Sequence, residues 1–242
     1  MPHSIARYID HAVLHPTQAE EDLRTACGLC AEVGVASICV KPYMVPLAAE
    51  LLADSAVKVS TVISFPHGAC ATAVKVAEAR AACDVGAVEL DMVVNLGLVQ
   101  CGQWADVETD IRAVVAAAAE SGAITKVIFE TGLLSDADQK IRLCQCSENA
   151  GAAFVKTSTG FGFVKQPDGT MKSTGATFDD IQLMREHCSE TVGVKASGGI
   201  RNLADARQFI KLGATRLGTS STRSLVDEET DGSENLQTKA DY

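Results

Sequence analysis

Two short stretches decide the fold: residues 153–157, AFVKT, and residues 192–196, VGVKA. Each is a compact apolar run carrying a lysine near its end. Neither alternates polar and apolar residues as a half-exposed strand does. Continuous apolar runs of this length mark parallel strands buried on both faces. Between them Thr177, with Asp180 three residues on, opens a helix. Strand, helix and parallel strand form the repeating unit of an α/β fold.

The same unit recurs outward in both directions. Further strand runs fall at Ile9–Val13, Ala36–Val40, Lys58–Ile63, Ala87–Met92, Thr125–Phe129 and Thr215–Gly218. The segments between them carry helical stripes. Thr17 and Glu20 form a capping-box pattern before Leu23, Cys27, Cys30 and Ala31. Trp104, Val107, Ile111, Val114 and Val115 make a second stripe; Ser135 and Asn202 open further helices, the latter ended by Gly213. Eight strands alternating with helices predict a single α/β domain, a (β/α)8 TIM barrel, over residues 1–226. A doubly wound open sheet is disfavoured, because no Gly-rich dinucleotide fingerprint follows the first strand. Residues 227–242, DEETDGSENLQTKADY, are polar and acidic and read as a flexible C-terminal tail.

Composition agrees. Aromatic residues are 5% of 242 residues against 47% hydrophobic, so Ala, Val, Ile and Leu must fill the core. A net charge of −10 argues against nucleic acid or an anionic membrane as partner. It leaves room for a small phosphorylated substrate, which needs only a local nest of donors. Nine cysteines without framework spacing, no apolar signal core and no run long enough to span a bilayer predict a reduced, cytoplasmic protein.

In a barrel the reactive groups sit at the C-terminal ends of the strands. Three runs end in ionisable residues there: Asp91 in VELDMVVN, Lys156 in FVKTSTG and Lys195 in VGVKASGG. Burial disfavours a charged amine, and a second cation nearby disfavours it further. A neutral amine is a nucleophile towards a carbonyl. Lys156 and Lys195 end successive strands, so their side chains are expected to meet at the mouth, with Asp91 supplying a carboxylate for proton transfer. Gly198-Gly199 and Gly218-Thr219-Ser220-Ser221 end neighbouring strands just before helices, where backbone N–H groups and hydroxyls can hold a phosphate.

FVKTSTGF, VELDMVVN, KVIFET, VGVKASGGI and ATRLGTSS resemble, in order and spacing, the signature segments of the deoxyribose-phosphate aldolases. IDH, ICV and the FPHG turn also match, and the resemblance runs from about Ile9 to Val226. It implies cleavage of 2-deoxy-D-ribose 5-phosphate to D-glyceraldehyde 3-phosphate and acetaldehyde, with Lys156 as the Schiff-base residue. It further implies Lys195 as the cation that perturbs Lys156, Asp91 in the proton relay with Lys126 near it, and Gly160 on a third phosphate loop. Asp10 and Cys39 would support the site. No metal or organic cofactor is implied, and a homodimer or homotetramer is. Some family members end in a tyrosine on a mobile tail, which gives Tyr242 a place in proton transfer; a frayed terminus is the alternative.

Three features depart from the family pattern. Ala12 lacks a hydroxyl common at its position, Lys41 stands where Asn is common, and residues 161–176 are longer than in many relatives. Asp168-Gly169 suits a hairpin turn, so Gly162–Ser173 is expected to form a two-stranded hairpin, either a flap whose Lys165 and Lys172 add positive charge near the phosphate or a solvated surface hairpin. Cys27 and Cys30 form a C-x-x-C pair on a helix stripe and are expected to be core residues rather than a redox centre. The histidines show no metal-ligand spacing. Another class I phosphosugar aldolase and a non-catalytic phosphosugar-binding barrel remain the competing functions.

Overall fold

The chain alternates strand and helix along its whole length in the computed structural model, which describes residues 4–240, with side chains through residue 232. The strands are β1 (Ile9–Val13), β2 (Ser37–Val40), β3 (Lys58–Ile63), β4 (Glu89–Val93), β5 (Ile124–Ile128), β6 (Phe154–Lys156), β7 (Phe163–Lys165), β8 (Met171–Ser173), β9 (Gly193–Ser197) and β10 (Arg216–Thr219). All but β7 and β8 close into one parallel barrel in the order β1-β10-β9-β6-β5-β4-β3-β2. The (β/α)8 expectation therefore holds. Strand β4 begins two residues later than its apolar run, because the Ala87 N–H turns back to the Ala82 carbonyl at 3.0 Å and closes the preceding helix.

Helices pack outside: α1 (Glu20–Val33), α2 (Val45–Leu51), α3 (Thr72–Asp84), α4 (Leu96–Gln100), α5 (Trp104–Ala119), α6 (Ala137–Asn149), α7 (Phe178–Glu186), α8 (Leu203–Lys211) and α9 (Thr222–Ala240). Between them and the strands lies a continuous apolar layer that includes Leu23, Ile38, Leu90, Ile111, Leu143 and Leu217. Cys27 and Cys30 are buried in it, as expected. Ala26 rather than Ala31 completes that stripe.

Two helix starts shift. Thr17 does not cap α1: its hydroxyl is 2.7 Å from the His15 ring, and Asp22 instead accepts from the Ala19 N–H at 2.7 Å. Asp136, not Ser135, caps α6, accepting from the Asp138 N–H. Thr177 and Asn202 cap α7 and α8 as read.

The stretch read as a tail begins inside α9. The Glu228 carboxylate accepts from the Leu203 N–H at 2.7 Å, and Glu229 accepts from the Ile5 N–H, so these first acidic residues pin the helix to the barrel. Acidic composition concealed that docking, because the partners are backbone donors at distant helix starts. Tyr242 lies outside the described residues.

The long segment after β6 forms the expected hairpin, β7 against β8, with Gly169 at φ +86° in its turn and Asp168 accepting from Thr170. At its base Thr174 bonds Gly162, and Ala176 N–H reaches Gly198 at 3.1 Å.

Candidate active site

Strand register stacks charged side chains along the barrel axis. Asp91 on β4 pairs with Lys126 on β5, Ile128 on β5 with Lys156 on β6, Lys156 with Lys195 on β9, and Lys195 with Arg216 on β10. Side chains two residues apart on a strand share a face, so Glu89 points the same way as Asp91. One Asp91 oxygen, Oδ2, accepts from Lys156 Nζ at 2.7 Å and from Lys195 Nζ at 2.8 Å. The other, Oδ1, accepts from Lys126 Nζ at 2.8 Å and from the Ser60 hydroxyl at 3.4 Å. Lys195 is also 2.5 Å from Asp10 Oδ2. Lys126 pairs with Glu89 at 2.7 Å and Asp10 at 3.3 Å, and Arg216 bridges Asp10 and Glu89. All these groups are buried except Arg216, which is partly so.

The lysines share burial but not surroundings. Burial pushes the Lys156 amine down, Asp91 pulls it up, and neighbouring Lys195 pushes it down again; the outcome lies below the ordinary lysine range. Burial also opposes the charge of Lys195, but Asp10 and Asp91 together outweigh it and raise it. Lys126, facing three carboxylates, is raised well above the usual range against the same burial penalty. Asp91 is held well below the carboxylate range: burial opposes this, and Lys126, Lys156 and Lys195 overcome it. The arrangement thus sets an amine of lowered proton affinity beside one of raised proton affinity, a pairing suited to imine chemistry.

A cleft of about 410 Å³ opens over the two amines. Lys156, Lys195, Asp10 and Cys39 lie at its floor, and Gly160, Gly198, Gly199, Gly218, Ser220 and Ser221 are on its wall. Gly160, Gly198 and Gly199 hold φ of +83°, +95° and +81°, the left-handed region that admits glycine readily. Gly218 serves differently: a Cβ there would fall 2.6 Å from Ser197 Oγ and 3.2 Å from Lys195 Cε, so its bareness clears the path of the Lys195 stem. Ser220 and Ser221 directly precede α9, whose N-terminal dipole favours an anion. The family model for DeoC/LacD family aldolases matches residues 4–226. The chain belongs to that family. It is 46% identical over 224 residues to the deoxyribose-phosphate aldolase of Carboxydothermus hydrogenoformans, covering 92% of this chain and 93% of that one. It is also 46% identical to the enzyme of that name from Thermococcus gammatolerans, over 92% and 95% of the two chains. The tetrameric deoxyribose phosphate aldolase of Aeropyrum pernix superposes with a TM-score of 0.83 at 31% identity, covering 93% and 91%.

Within this aldolase the sequence-selected residues divide by depth. Asp91 and Lys126 do not line the cleft; they lie beneath it and act on its floor through the amines of Lys156 and Lys195. Asp91 reaches the cleft floor through its contacts with the Lys156 and Lys195 amines. Ala12 lines the cleft as an apolar patch. Lys41 turns away: its amine donates to the carbonyls of His15, Pro16 and Gln18 and ties down the loop after β1. Lys165 and Lys172 sit on the hairpin and are not among the cleft residues.

Sequence reading missed Glu89, Arg216, Ser60 and Glu130. Glu89 was discoverable, since it precedes Asp91 by two in a run that must be buried. Arg216 near the start of β10 carries no local signal for burial; closure of the barrel brings its guanidinium inward against Asp10 and Glu89. Glu130 follows β5 with φ +54°, and its carboxylate accepts from both the amide and the hydroxyl of Thr159, fixing the KTSTG loop.

Proposed function

We propose that this chain is a deoxyribose-phosphate aldolase that reversibly cleaves 2-deoxy-D-ribose 5-phosphate into D-glyceraldehyde 3-phosphate and acetaldehyde through an imine on Lys156. One observation carries the reading. The amine inclined to lose its proton is on the cleft floor, touching the same carboxylate oxygen as a fixed cation, under a wall of glycines and serines suited to phosphate.

The steps follow from that placement. Lys156 Nζ adds to the C1 aldehyde, and loss of water gives the protonated imine. As the C3 hydroxyl gives up its proton, the C2–C3 bond breaks, its electrons pass to the imine as an enamine, and glyceraldehyde 3-phosphate leaves. C2 then takes a proton and water hydrolyses the imine to acetaldehyde. Lys195, with Asp91 behind it, is the group placed to exchange protons at the floor. Gly160, Gly198, Gly199, Ser220 and Ser221 hold the phosphate. Cys39, a buried thiol among the cleft residues, would pack beside the reacting carbons in this reading.

The Aeropyrum pernix relative is a tetramer, and a homo-oligomer is the assembly we propose here. Among the described residues no helix is long and apolar enough to cross a membrane; with the metabolic substrate, this favours the cytoplasm. Incubation with acetaldehyde or deoxyribose 5-phosphate and borohydride, then peptide mapping, tests the assignment. A reduced adduct on Lys156 is expected. An adduct on Lys195 overturns the choice of lysine, and binding without any adduct would make the barrel a phosphosugar binder instead.

A further inference from the structure

Among the described residues the ion pairs along the barrel axis form a closed set. Lys126, Lys156, Lys195 and Arg216 are its cations; Asp10, Glu89 and Asp91 are its carboxylates. Four cations against three anions leave one positive charge in excess among side chains that are buried or, for Arg216, mostly so. Unbalanced buried charge is costly, and a titratable member relieves it by changing its protonation. Which member yields is decided by its partners. Arg216 faces Asp10 and Glu89 and does not deprotonate. Lys126 faces three carboxylates and Lys195 faces two. Lys156 has Asp91 alone, and shares that oxygen with Lys195.

We propose that Glu89 and Arg216, which do not touch the cleft, are positioning residues that set the charge of the Lys156 amine by completing this four-against-three balance. The proposal rests on Lys156 being the imine-forming residue. Glu89 and Arg216 act through Lys126 and Asp10, so their effect is a change in the proton balance of the set rather than a contact with substrate. Two further titratable groups face Lys156, one from across the barrel and one from the loop after the adjacent strand β5. Cys39 on β2 is held as a neutral thiol by burial. Glu130 after β5 lies outside ion-pair distance of these lysines; burial raises its proton affinity, and Thr159 and the charge of Lys156 partly offset that rise. Neither belongs to the interlocked set.

The two residues carry opposite charge, so their neutral substitutions should move Lys156 in opposite directions. Removing the Glu89 carboxylate leaves more positive excess and should ease loss of the Lys156 proton. Removing the Arg216 guanidinium cancels the excess and should let Lys156 keep its proton. A merely structural role has no such sign.

The experiment is the pH dependence of borohydride trapping of acetaldehyde on Lys156, read by intact mass with peptide mapping. It is run on wild type, Glu89→Gln, Arg216→Met and the charge-preserving Arg216→Lys, each first shown folded by circular dichroism. The trapping midpoint should move about one pH unit to acid in Glu89→Gln and about one unit to alkaline in Arg216→Met. Arg216→Lys should stay near wild type. Equal midpoints in all four proteins, or shifts of the same sign in the two neutral variants, would overturn the proposal. If Glu89→Gln does not fold, the contrast between Arg216→Met and Arg216→Lys decides alone: an alkaline move in Met only supports it, and any matching pair refutes it. Wild type trapped at a residue other than Lys156 would instead sink the functional reading on which this rests.

Discussion

Two buried lysines in this molecule have opposite fates. Lys75 on α3 lies between the helices, fully buried, with its amine 2.6 Å from Asp110 Oδ2 on α5 and 3.0 Å from the Val93 carbonyl. Lys156 lies on the barrel axis with its amine 2.7 Å from Asp91. Distance and burial hardly separate them. Partner count does. Asp110 has one cation and a hydroxyl from Thr72 at 2.7 Å, which makes a closed, balanced pair beneath packed helices. Asp91 is divided among three lysines, and a cleft opens above. A buried lysine with a carboxylate to itself holds two helices together, whereas one that must share acquires chemistry.

The sharpest way to break this contrast is to remove each amine. Lys156→Arg keeps the charge but cannot form an imine, because a guanidinium stays protonated. Cleavage measured by a coupled aldehyde assay should fall at least ~10³-fold with the melting temperature nearly intact. Lys75→Met should do the reverse. It strands the buried Asp110 carboxylate, a loss on the order of 3–5 kcal/mol in denaturant unfolding, while turnover per folded molecule stays at the wild-type level. If Lys75→Met slows chemistry as Lys156→Arg does, position in the fold rather than partner count governs buried lysines here.

Sharing can then be undone directly. In Lys195→Leu the Asp91 oxygen belongs to Lys156 alone, and the local pair becomes more like that of Lys75. The Lys156 amine should hold its proton, turnover should drop about 100-fold near neutrality, and the pH–rate profile should move to alkaline. A large rate loss without that move would assign Lys195 to proton delivery only. At the other side of the cleft, Ser220→Ala and Ser221→Ala should leave this balance alone and weaken phosphate. Charge-assisted hydrogen bonds contribute about 1.5–3 kcal/mol each, so preference for deoxyribose 5-phosphate over deoxyribose should fall ~10- to 100-fold. Equal losses on both sugars would remove the serines from phosphate recognition.

Much of this was legible in the chain, and the limit has a physical origin. Strand runs were visible because parallel strands buried on both faces are apolar throughout, and that same apolarity made Lys156, Lys195 and Asp91 conspicuous. The glycine and serine loops were visible because tight approach to an anion restricts residue choice. Glu89 could have been read from its place two residues before Asp91 in a buried run, but Arg216 was not visible, because its meaning depends on register: it faces Lys195 only once β10 is set against β9. Docking of α9 through Glu228 and Glu229 was hidden for a related reason, since an acidic residue that caps a remote backbone donor looks like any other acidic residue in sequence.

A third buried titratable group completes the comparison with the smallest effect. His11 on β1 is 7% exposed and, among the described residues, has no carboxylate partner; its Nδ1 lies 2.8 Å from the Thr222 hydroxyl. Burial pushes its pKa down from 6.5 to about 4. The sign follows from linkage. Between those values the unfolded chain binds a proton that the folded chain refuses, so stability present above pH 6.5 is lost as pH falls towards 4. From pH 7 to pH 5 this amounts to about 2 kcal/mol. Asp10 and Asp91 do not contribute in this window: their folded values are depressed, so their loss begins only below about 4. Glu130 works the other way, since its raised affinity for a proton favours the fold as pH falls. Denaturant midpoints of wild type and His11→Gln at pH 7 and pH 5 isolate the term. The variant should lose roughly 2 kcal/mol less than wild type over that interval, with trapping at Lys156 preserved at pH 7. Parallel losses in the two proteins would mean that another group carries the acid sensitivity, and that a buried ring without a counter-charge is better tolerated in its protonated form than a buried lysine that must share one.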